Sequence, residues 1–375
     1  MLAVAVGWQV YAMARNPLAL GIVGLSEFLP FILLVLVGGH VADRAPRRTV
    51  VCCAYVGQIL CAIVLLLLSV NHVRHIWMIY LTLSVFGATR AFWGPAMQAM
   101  LPGLVAREQF PNTVAVNSML FQLASVAGPV IGGFLYLAGA PVVYASCALM
   151  FMGTLALMLL IRADTRPKAP ADAGGARQFL EGLRFVRHNS VVLGVLSLDL
   201  FAVLFGGSVA LLPIFASDIL HTGPAGLGLM RAAPSIGAAL TAAVLAVRPL
   251  RDYVGRAMLG GVALFGITMI VFGLSRSLPL TIAALILSGV GDMVSVNIRG
   301  ILVPLNTPDA LRGRVSAVNW MFIGASNELG EFESGLTASW FGTVPSVVVG
   351  GVLSLAVALS WAWMFPSLRK LRRMH

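Results

Sequence analysis

The residues of this sequence that are most clearly able to do chemistry are the charged side chains that lie inside long apolar stretches. Nine of them interrupt such stretches: Glu27, Arg90, Asp199, Arg231, Asp292, Arg299, Glu328, Glu331 and Glu333. An ionised side chain at the middle of a bilayer costs at least ~3 kcal/mol, so each residue of this kind is by default a candidate for function. A carboxylate in a low-dielectric cavity is more easily protonated than in water, and it can therefore take up and release protons.

Structural ion pairs are the alternative interpretation for any single one of these residues. Arg299 with Glu328 or Glu331 is one such pair that the sequence allows. Glu331 and Glu333 point ~200° apart on a helix, so they cannot share one face. We therefore expect at least one of these two to have a structural role.

The composition indicates that these charges belong to a membrane protein. Of 375 residues, 59% are hydrophobic and only 10% are charged, against roughly 25% charged residues in an ordinary soluble domain. So few polar residues cannot cover a water-soluble fold, which excludes a soluble enzyme and a disordered chain. The four cysteines lie in apolar runs and the six histidines are scattered, so no metal site or nucleophile–base pair is predicted.

Pro, Gly and charge clusters divide the chain into twelve apolar segments of about the ~20 residues that a spanning helix needs. The predicted spans are 1-14, 18-42, 49-70, 76-101, 113-138, 141-161, 191-215, 223-247, 257-275, 278-304, 313-340 and 344-365. Fourteen residues give only ~21 Å of helix against ~30 Å of hydrocarbon. We therefore interpret the first span as a truncated helix.

The spans imply an N-terminal bundle of six helices (1-161), a linker (162-190), a C-terminal bundle of six helices (191-365) and a basic tail (366-375). Within the linker, the spacing of Phe179, Leu183 and Val186 predicts a short amphipathic helix.

Basic residues predict the orientation of the chain in the membrane. Nineteen of the 25 Lys and Arg lie in alternate loops and in the C-terminal tail, whereas the opposite loops hold only Arg15, Arg74 and Arg276. Because basic loops stay on the cytoplasmic side, the linker and the C-terminus are predicted to be cytoplasmic. This bias explains the net charge of +11 without a nucleic-acid partner.

The two halves of the chain repeat at an offset of about 202 residues. Ala115-Val116-Asn117 recurs as Ala317-Val318-Asn319, and Pro102, Gly128 and Gly133 recur as Pro304, Gly330 and Gly335. Six spans repeated in the same orientation imply two bundles related by an axis along the membrane normal. In transporters of this design, the substrate site lies between the bundles at mid-depth.

Three motifs resemble those of the major facilitator superfamily, over essentially the whole chain. The loop after the second span contains Gly39, Asp43, Arg44, Arg47 and Arg48 at the spacing of the superfamily pattern G-x-L-A-D-R-x-G-R-[RK].

In the fifth span, Gly128, Pro129, Gly132 and Gly133 resemble the G-P-x-x-G-G core of the superfamily's antiporter motif. In the fourth span, Arg90 and Gly94 have the R-x-x-x-G spacing. Other stretches resemble the subgroup of bacterial secretion-type permeases that contains the enterobactin exporter: 101-105, 115-118, 312-315 and 327-332.

The resemblance implies an all-α integral membrane protein with the twelve-helix major facilitator fold. It implies a cavity lined by Glu27, Arg90, Asp199, Asp292 and Glu328, with Arg90 and Asp292 on opposed walls because they are repeat-equivalent. Arg90 would attract an anionic substrate, and Asp292, Glu328 and Asp199 are, in that order, the candidate proton carriers.

It also implies a latch, in which Asp43 contacts the start of the eleventh span near 311-314, while Arg44 and Arg47 pair with acids. Such a contact would form in only one state of a rocking transporter. The alternative is a loop charge that only orients the chain. Gly128, Gly132 and Gly133 would permit close helix approach, in packing or in antiport. Phe92, Trp93 and Phe121 are candidates for an aromatic substrate pocket, or else for simple packing.

The leading functional hypothesis is a monomeric secondary exporter of the bacterial inner membrane. It would carry a siderophore- or drug-like molecule by proton antiport, with no cofactor or metal beyond the proton motive force. An importer or lipid transporter on the same fold is the second hypothesis, and a non-transporting sensor or assembly subunit is the third. The chain has no phosphate-binding Gly-Lys-Ser/Thr loop, which argues against an ATP-driven pump.

Overall fold

A computed structural model of the chain describes residues 1–73, 75–106, 108–161, 175–250, 252–369 and 371. The predicted linker segment 162-174, the basic tail residues 370 and 372-375, and the loop arginines Arg74, Arg107 and Arg251 lie outside the described residues. All the regular structure in the described part of the chain is helical, which confirms the all-α prediction.

Fifteen α-helices are present among the described residues: α1 (Leu2–Ala14), α2 (Pro17–Arg44), α3 (Arg47–Val70), α4 (Ile76–Met100), α5 (Phe110–Leu135), α6 (Ala140–Leu160), α7 (Gly175–His188), α8 (Ser190–Gly206), α9 (Leu212–Ile214), α10 (Gly223–Val247), α11 (Val254–Leu274), α12 (Leu278–Leu305), α13 (Arg312–Phe341), α14 (Thr343–Met364) and α15 (Pro366–Arg369). Every predicted span coincides with a helix or with a run of short helices.

Ten helical segments in the described part of the chain are long and apolar enough to cross a bilayer. The helices that complete the twelve predicted spans are α1, which has 13 residues, and α13, which has 30 residues but carries several charges. Three of these charges, Glu328, Glu331 and Glu333, are functional candidates from the sequence.

The seventh predicted span is interrupted rather than continuous. Helix α8 ends at Gly206, and a 3₁₀ turn (Ser208–Leu211), α9 and a π turn (Phe215–Ile219) follow. Pro213 lies in this region. The break begins at Gly207, whose backbone (ψ 63°) is not helical. Pro213 follows it at the start of α9, where a missing backbone N–H is tolerated.

Helix α7 is the amphipathic helix that the linker sequence predicts. Val186 is buried, and Phe179 and Leu183 pack against the same hydrophobic cluster. The helix lies against the start of α13, where Gly182 meets the backbone of Arg314 and Glu181 accepts a hydrogen bond from the Arg314 guanidinium. The start of α13 is therefore covered by α7.

Most helix contacts fall within two groups. Helices α2, α3, α4 and α6 contact one another, as do α8 and α10 to α14. Helix α5 contacts α1 and α6 and so belongs with the first group, and the most extensive contacts between the groups are those of α2 with α13 and of α5 with α10. The two pairs are equivalent under the sequence repeat, because α2 corresponds to α10 and α5 to α13.

Each joining pair is closest where two glycines face each other. A Cβ on Gly335 would lie 2.7 Å from the Cα of Gly21, and a Cβ on Gly133 would lie 2.9 Å from the Cα of Gly228. A real side chain does not fit at such distances, so backbone contact at these positions requires glycine. Both contacts lie toward the end of the molecule that holds the α1–α2 connection.

The opposite end of the molecule is open. Every residue of α5 from Val114 to Phe121 is exposed, so no helix covers any side of this stretch. Val244 and Val247 at the end of α10 are also exposed. The helices that join the two groups therefore meet at one end and are separated at the other.

Enlarging Gly228 tests the glycine contact. Gly228→Leu adds a side chain at a position where even a Cβ atom would lie only 2.6 Å from the Pro129 carbonyl oxygen. We expect it to lower the free energy of unfolding by about 1–3 kcal/mol, the usual cost of over-packing. Thermal unfolding of the purified protein in detergent measures this change.

The matched control is Gly260→Leu, since a Cβ at Gly260 meets nothing within 4 Å. Equal melting temperatures for the two variants would contradict a contact that requires glycine.

Candidate functional site

Five charged side chains from both helix groups meet in one cavity, and we call them the bridging cluster: Glu27, Arg90, Arg231, Glu328 and Glu331. The cavity has a volume of about 250 Å³. Helices α2 and α4 supply Glu27 and Arg90, whereas α10 and α13 supply the other three. The cluster therefore lies where the two helix groups face each other.

Arg90 is shared between two carboxylates of the bridging cluster. Its Nη1 lies 3.0 Å from Glu27 Oε2 and 3.7 Å from Glu328 Oε1. Arg231 Nη2 lies 3.8 Å from Glu331 Oε1. Three carboxylates thus share two guanidinium groups, and the cluster has one carboxylate in excess.

Small residues allow the helices to bring these charges together. A Cβ on Gly24 of α2 would lie 3.1 Å from the Glu331 carboxylate, so a larger residue there would displace that side chain. A Cβ on Gly87 of α4 would collide with the Glu27 backbone. Glycine at both positions lets α4 and α13 lie close to α2.

A second ion pair is buried between α8 and α12. Arg299 donates a hydrogen bond to Asp199, and both side chains are only 7% exposed. The sequence allowed a structural pair of Arg299 with Glu328 or Glu331. In the structure, Arg299 pairs with Asp199 instead. Because Asp199 is held in this direct pair and is shielded, it faces no open cavity.

Asp292 lines a different cavity, of about 310 Å³, which we call the aromatic cavity. Phe121, Phe265, Met269 and Phe272 supply much of its apolar wall. Most of the lining comes from α8 and α10 to α12, and Phe121 reaches it from α5. Arg231 lines both cavities, so the two adjoin.

The structure separates Arg90 from Asp292, which the sequence repeat placed on opposed walls of one cavity. Arg90 lies in the bridging cluster and Asp292 in the aromatic cavity. The repeat holds for the helices, but the side chains have different partners in the two halves. The guanidinium of Arg90 already contacts two carboxylates, so no unpaired positive charge remains there for an anionic substrate.

Of the three aromatic residues predicted for a substrate pocket, Phe121 lines the aromatic cavity, whereas Phe92 and Trp93 line neither of the two cavities described above. Phe121 is 71% exposed. Phe92 and Trp93 pack instead against a hydrophobic cluster of α3, α4 and α6, where the Trp93 ring meets the Tyr55 ring edge-on at 6.5 Å. These two residues have the packing role that was the alternative interpretation.

In the last turn of α2, Asp43 and Arg44 are exposed and form no hydrogen bond or ion pair with any residue that the structure describes. The expected contact of Asp43 with 311-314 is absent in this conformation. Gly39 has open space around it. All three lie at the open end of the molecule, where the two helix groups are apart.

Arg47 and Arg48 both donate hydrogen bonds to carbonyls near helix ends. Arg47 donates a hydrogen bond of 2.7 Å to the Ala99 carbonyl near the end of α4, and Arg48 donates one of 3.0 Å to the Met158 carbonyl near the end of α6. The last carbonyls of a helix carry partial negative charge, so a guanidinium is favoured there. The expected pairing of Arg47 with an acid is thus replaced by this contact.

The glycine motif of α5 lies in the interface between the helix groups. Gly133 contacts Gly228, and the Pro129 carbonyl faces the same glycine. Gly132 packs against Met1, and Gly128 lies near the same residue. The motif therefore has a packing role in this conformation, and it is part of the closed end.

One contact of the closed end was missed in the sequence. Asp218 accepts hydrogen bonds from the Tyr11 hydroxyl and from Arg15, whose Nη1 lies 3.1 Å from Oδ1. The sequence could have indicated this contact, since Arg15 and Asp218 carry opposite charges at positions that are nearly equivalent under the repeat.

Comparison with known proteins agrees with this architecture. Residues 1–373 match the family model described as transmembrane secretion effector. The chain belongs to this family of major facilitator transporters. The resemblance in the sequence motifs is thereby confirmed, and no enzyme activity is expected of such a transporter.

The chain is 26% identical to an MFS-type transporter, YfiS, of Bacillus subtilis (strain 168), over 93% of this chain and 85% of that protein. It is 28% identical to the enterobactin exporter EntS of Citrobacter koseri, over 100% and 89% of the two chains. A POT family transporter crystallised with 5-aminolevulinic acid superposes with a TM-score of 0.75 at 12% identity, over 98% and 94% of the chains. The human organic anion transporter MFSD10 gives 0.64 at 19% identity, over 96% and 89%. The structures support the fold alone.

Removing one partner of the buried pair tests its role in stability. Arg299→Met leaves the Asp199 carboxylate buried without a partner, which we expect to cost about 3–5 kcal/mol. Replacing both residues, as Asp199→Leu with Arg299→Met, should restore most of this loss because no charge is then buried. Thermal unfolding in detergent measures both.

Arg312→Met is the matched control, because its pair with Asp309 is exposed (51% and 85%) and should contribute about 0–1 kcal/mol. If the two variants Arg299→Met and Arg312→Met unfold at the same temperature, the buried pair does not hold α8 to α12.

Proposed function

We propose that the protein is a secondary exporter that moves a small organic molecule, of siderophore- or drug-like size, by alternating access coupled to proton antiport. The observation that carries the proposal is the bridging cluster, in which three carboxylates share two guanidinium groups between the two helix groups. An unpaired charge in a low-dielectric cavity is unstable, so the excess carboxylate is met by a proton.

Glu328 is the carboxylate of the cluster best placed to bind this proton. It is the more distant of the two partners of Arg90, at 3.7 Å against 3.0 Å for Glu27. It also belongs to the opposite helix group from Arg90. Protonation of Glu328 therefore weakens an attraction between the two groups, and loss of the proton restores it, which links proton binding to their separation.

The closed and open ends support alternating access. Glycine contacts and the Tyr11–Arg15–Asp218 interaction close one end, whereas α5 from Val114 to Phe121 is uncovered at the other. With the orientation that the basic residues predict, the open end faces the cytoplasm. A molecule could then enter from the cytoplasm, as export requires.

The last turn of α2 fits the same cycle. Asp43 is exposed and free of described partners in this conformation. In the outward-open state, the helix groups approach each other at this end and bring Asp43 toward the start of α13. A contact there would stabilise the second state and complete the cycle.

The direction of transport has support from relatives. The enterobactin exporter of Citrobacter koseri aligns with the entire chain, and the family model is described as a secretion effector. We accordingly propose export from a bacterial inner membrane.

The test compares the small molecules of cells and spent medium by untargeted mass spectrometry. The strains lack the gene, carry the wild type, carry Glu328→Gln, or carry Glu108→Gln, an exposed acid in a loop, as the matched control. We expect one compound to accumulate in cells without the gene and with Glu328→Gln, and to leave the cell at least tenfold faster with the wild type and with Glu108→Gln.

Accumulation of the compound in the medium of the deletion strain would reverse the direction and favour an importer. Export by Glu328→Gln at the wild-type rate would remove Glu328 from proton coupling.

A further inference from the structure

The aromatic cavity contains a carboxylate that the cavity itself does not neutralise. Asp292 lines it together with the side chains of Phe121, Phe265, Met269 and Phe272. In the part of the chain that the structure describes, Asp292 has no hydrogen bond or ion pair. It is partly exposed, so its carboxylate is accessible from the cavity.

The nearby guanidinium groups are already paired with other acids. Arg231 lines the same cavity, but its Nη2 lies 3.8 Å from Glu331. Arg299 follows Asp292 by two helical turns on α12 and donates its hydrogen bond to Asp199. Since each cation has a closer carboxylate, the group formed by Asp199, Asp292 and Arg299 carries one negative charge in excess.

A cationic group is the chemical complement of this cavity. A protonated amine or guanidinium can donate hydrogen bonds to a carboxylate, and charge-assisted bonds of this kind are strong away from water. Aromatic faces also attract cations, and they pack against aromatic rings. The small hydroxyls of Ser125, Ser208, Ser235 and Ser288 line the same space and can bind polar atoms of a ligand.

We propose that the aromatic cavity is the substrate site and that it selects amphipathic aromatic compounds with a protonated amine or guanidinium, which binds Asp292. This inference rests on the proposed transport function and specifies its substrate class. It also gives the two cavities different roles, since the bridging cluster binds the proton and the aromatic cavity binds the substrate. Asp292, which the sequence ranked first as a proton carrier, is thereby assigned to the substrate.

Equilibrium binding of three probes with one fluorophore tests the charge preference. Dansylcadaverine carries a protonated amine, its N-acetyl derivative is neutral, and dansyl-6-aminohexanoic acid is an anion. Binding is followed by fluorescence anisotropy at pH 7.5, with full-length protein in nanodiscs of uncharged lipid and with empty nanodiscs as the blank. We expect the wild type to bind dansylcadaverine at least tenfold more tightly than either of the other probes.

Two variants locate the site. Asp292→Asn should weaken dansylcadaverine binding at least tenfold and leave the neutral probe unchanged, which also shows that the variant is folded. Phe121→Ala should weaken all three probes, because this exposed ring contacts the fluorophore rather than the charge. Asp309→Asn, which removes an exposed acid at the start of α13, is the matched control and should bind as the wild type does. Asp292→Glu keeps the carboxylate and should keep the preference for the amine.

Equal binding of the three probes, tightest binding of the anion, or an amine preference that survives Asp292→Asn would overturn the proposal. Unchanged binding by Phe121→Ala would place the site outside the aromatic cavity and overturn it as well. Because no gradient is applied, these results are independent of direction and coupling. Loss of the cation preference alongside normal export would refute the substrate class alone, whereas cation binding without any exported compound would refute the proposed function.

Discussion

An arginine in the interior of a membrane-spanning helix must be neutralised by the protein itself, since hydrocarbon cannot solvate it. Arg90, Arg231 and Arg299 all meet this requirement in the structure through carboxylates on other helices. These pairs fix which helices lie side by side. The pair of Arg299 joins α8 to α12 within one group, whereas Arg90 contacts Glu27 of its own group and Glu328 of the other.

The position of each pair decides whether it can change during a cycle. The Asp199–Arg299 pair is buried between two helices of the same group, so a change in the separation of the two groups would leave it intact. The bridging cluster lies where the groups face each other, and its Arg90–Glu328 distance of 3.7 Å joins one group to the other. A charge network at such a boundary responds to the separation of its two sides, and an added proton alters it.

The sequence predicted the helices, the repeat and the family because these depend on patterns that extend over many residues. Apolar segments of about 20 residues and the recurring Ala-Val-Asn and glycine positions are signals of this kind. The partners of single charges were harder to predict. Arg299 was compatible with several acids at helical spacing, and only the packing of α8 against α12 selects Asp199.

Other differences have local causes. Trp93 was a candidate for the substrate pocket, but a helix has several faces and this residue faces α3 and α6. The seventh span is divided at Gly207, whose backbone is not helical, and the short helix that contains Pro213 follows the break. The contact of Asp218 was missed although both partners were visible, because neither residue lies in a recognised motif.

The two glycine contacts also determine the mechanical properties of the molecule. Both lie near one end of the long helices, and α5 extends from its contact at Gly133 toward the open end. The distance along α5 from Gly133 to Val114 is about 28 Å at ~1.5 Å per residue, so a rotation of about 10° at Gly133 displaces the far end by about 5 Å. In the proposed cycle, a small rotation that keeps the backbone contact at the glycines would therefore produce a much larger displacement at the open end. Close packing is therefore required at the glycine contacts, which would move least, and not at the open end of α5, which would move most.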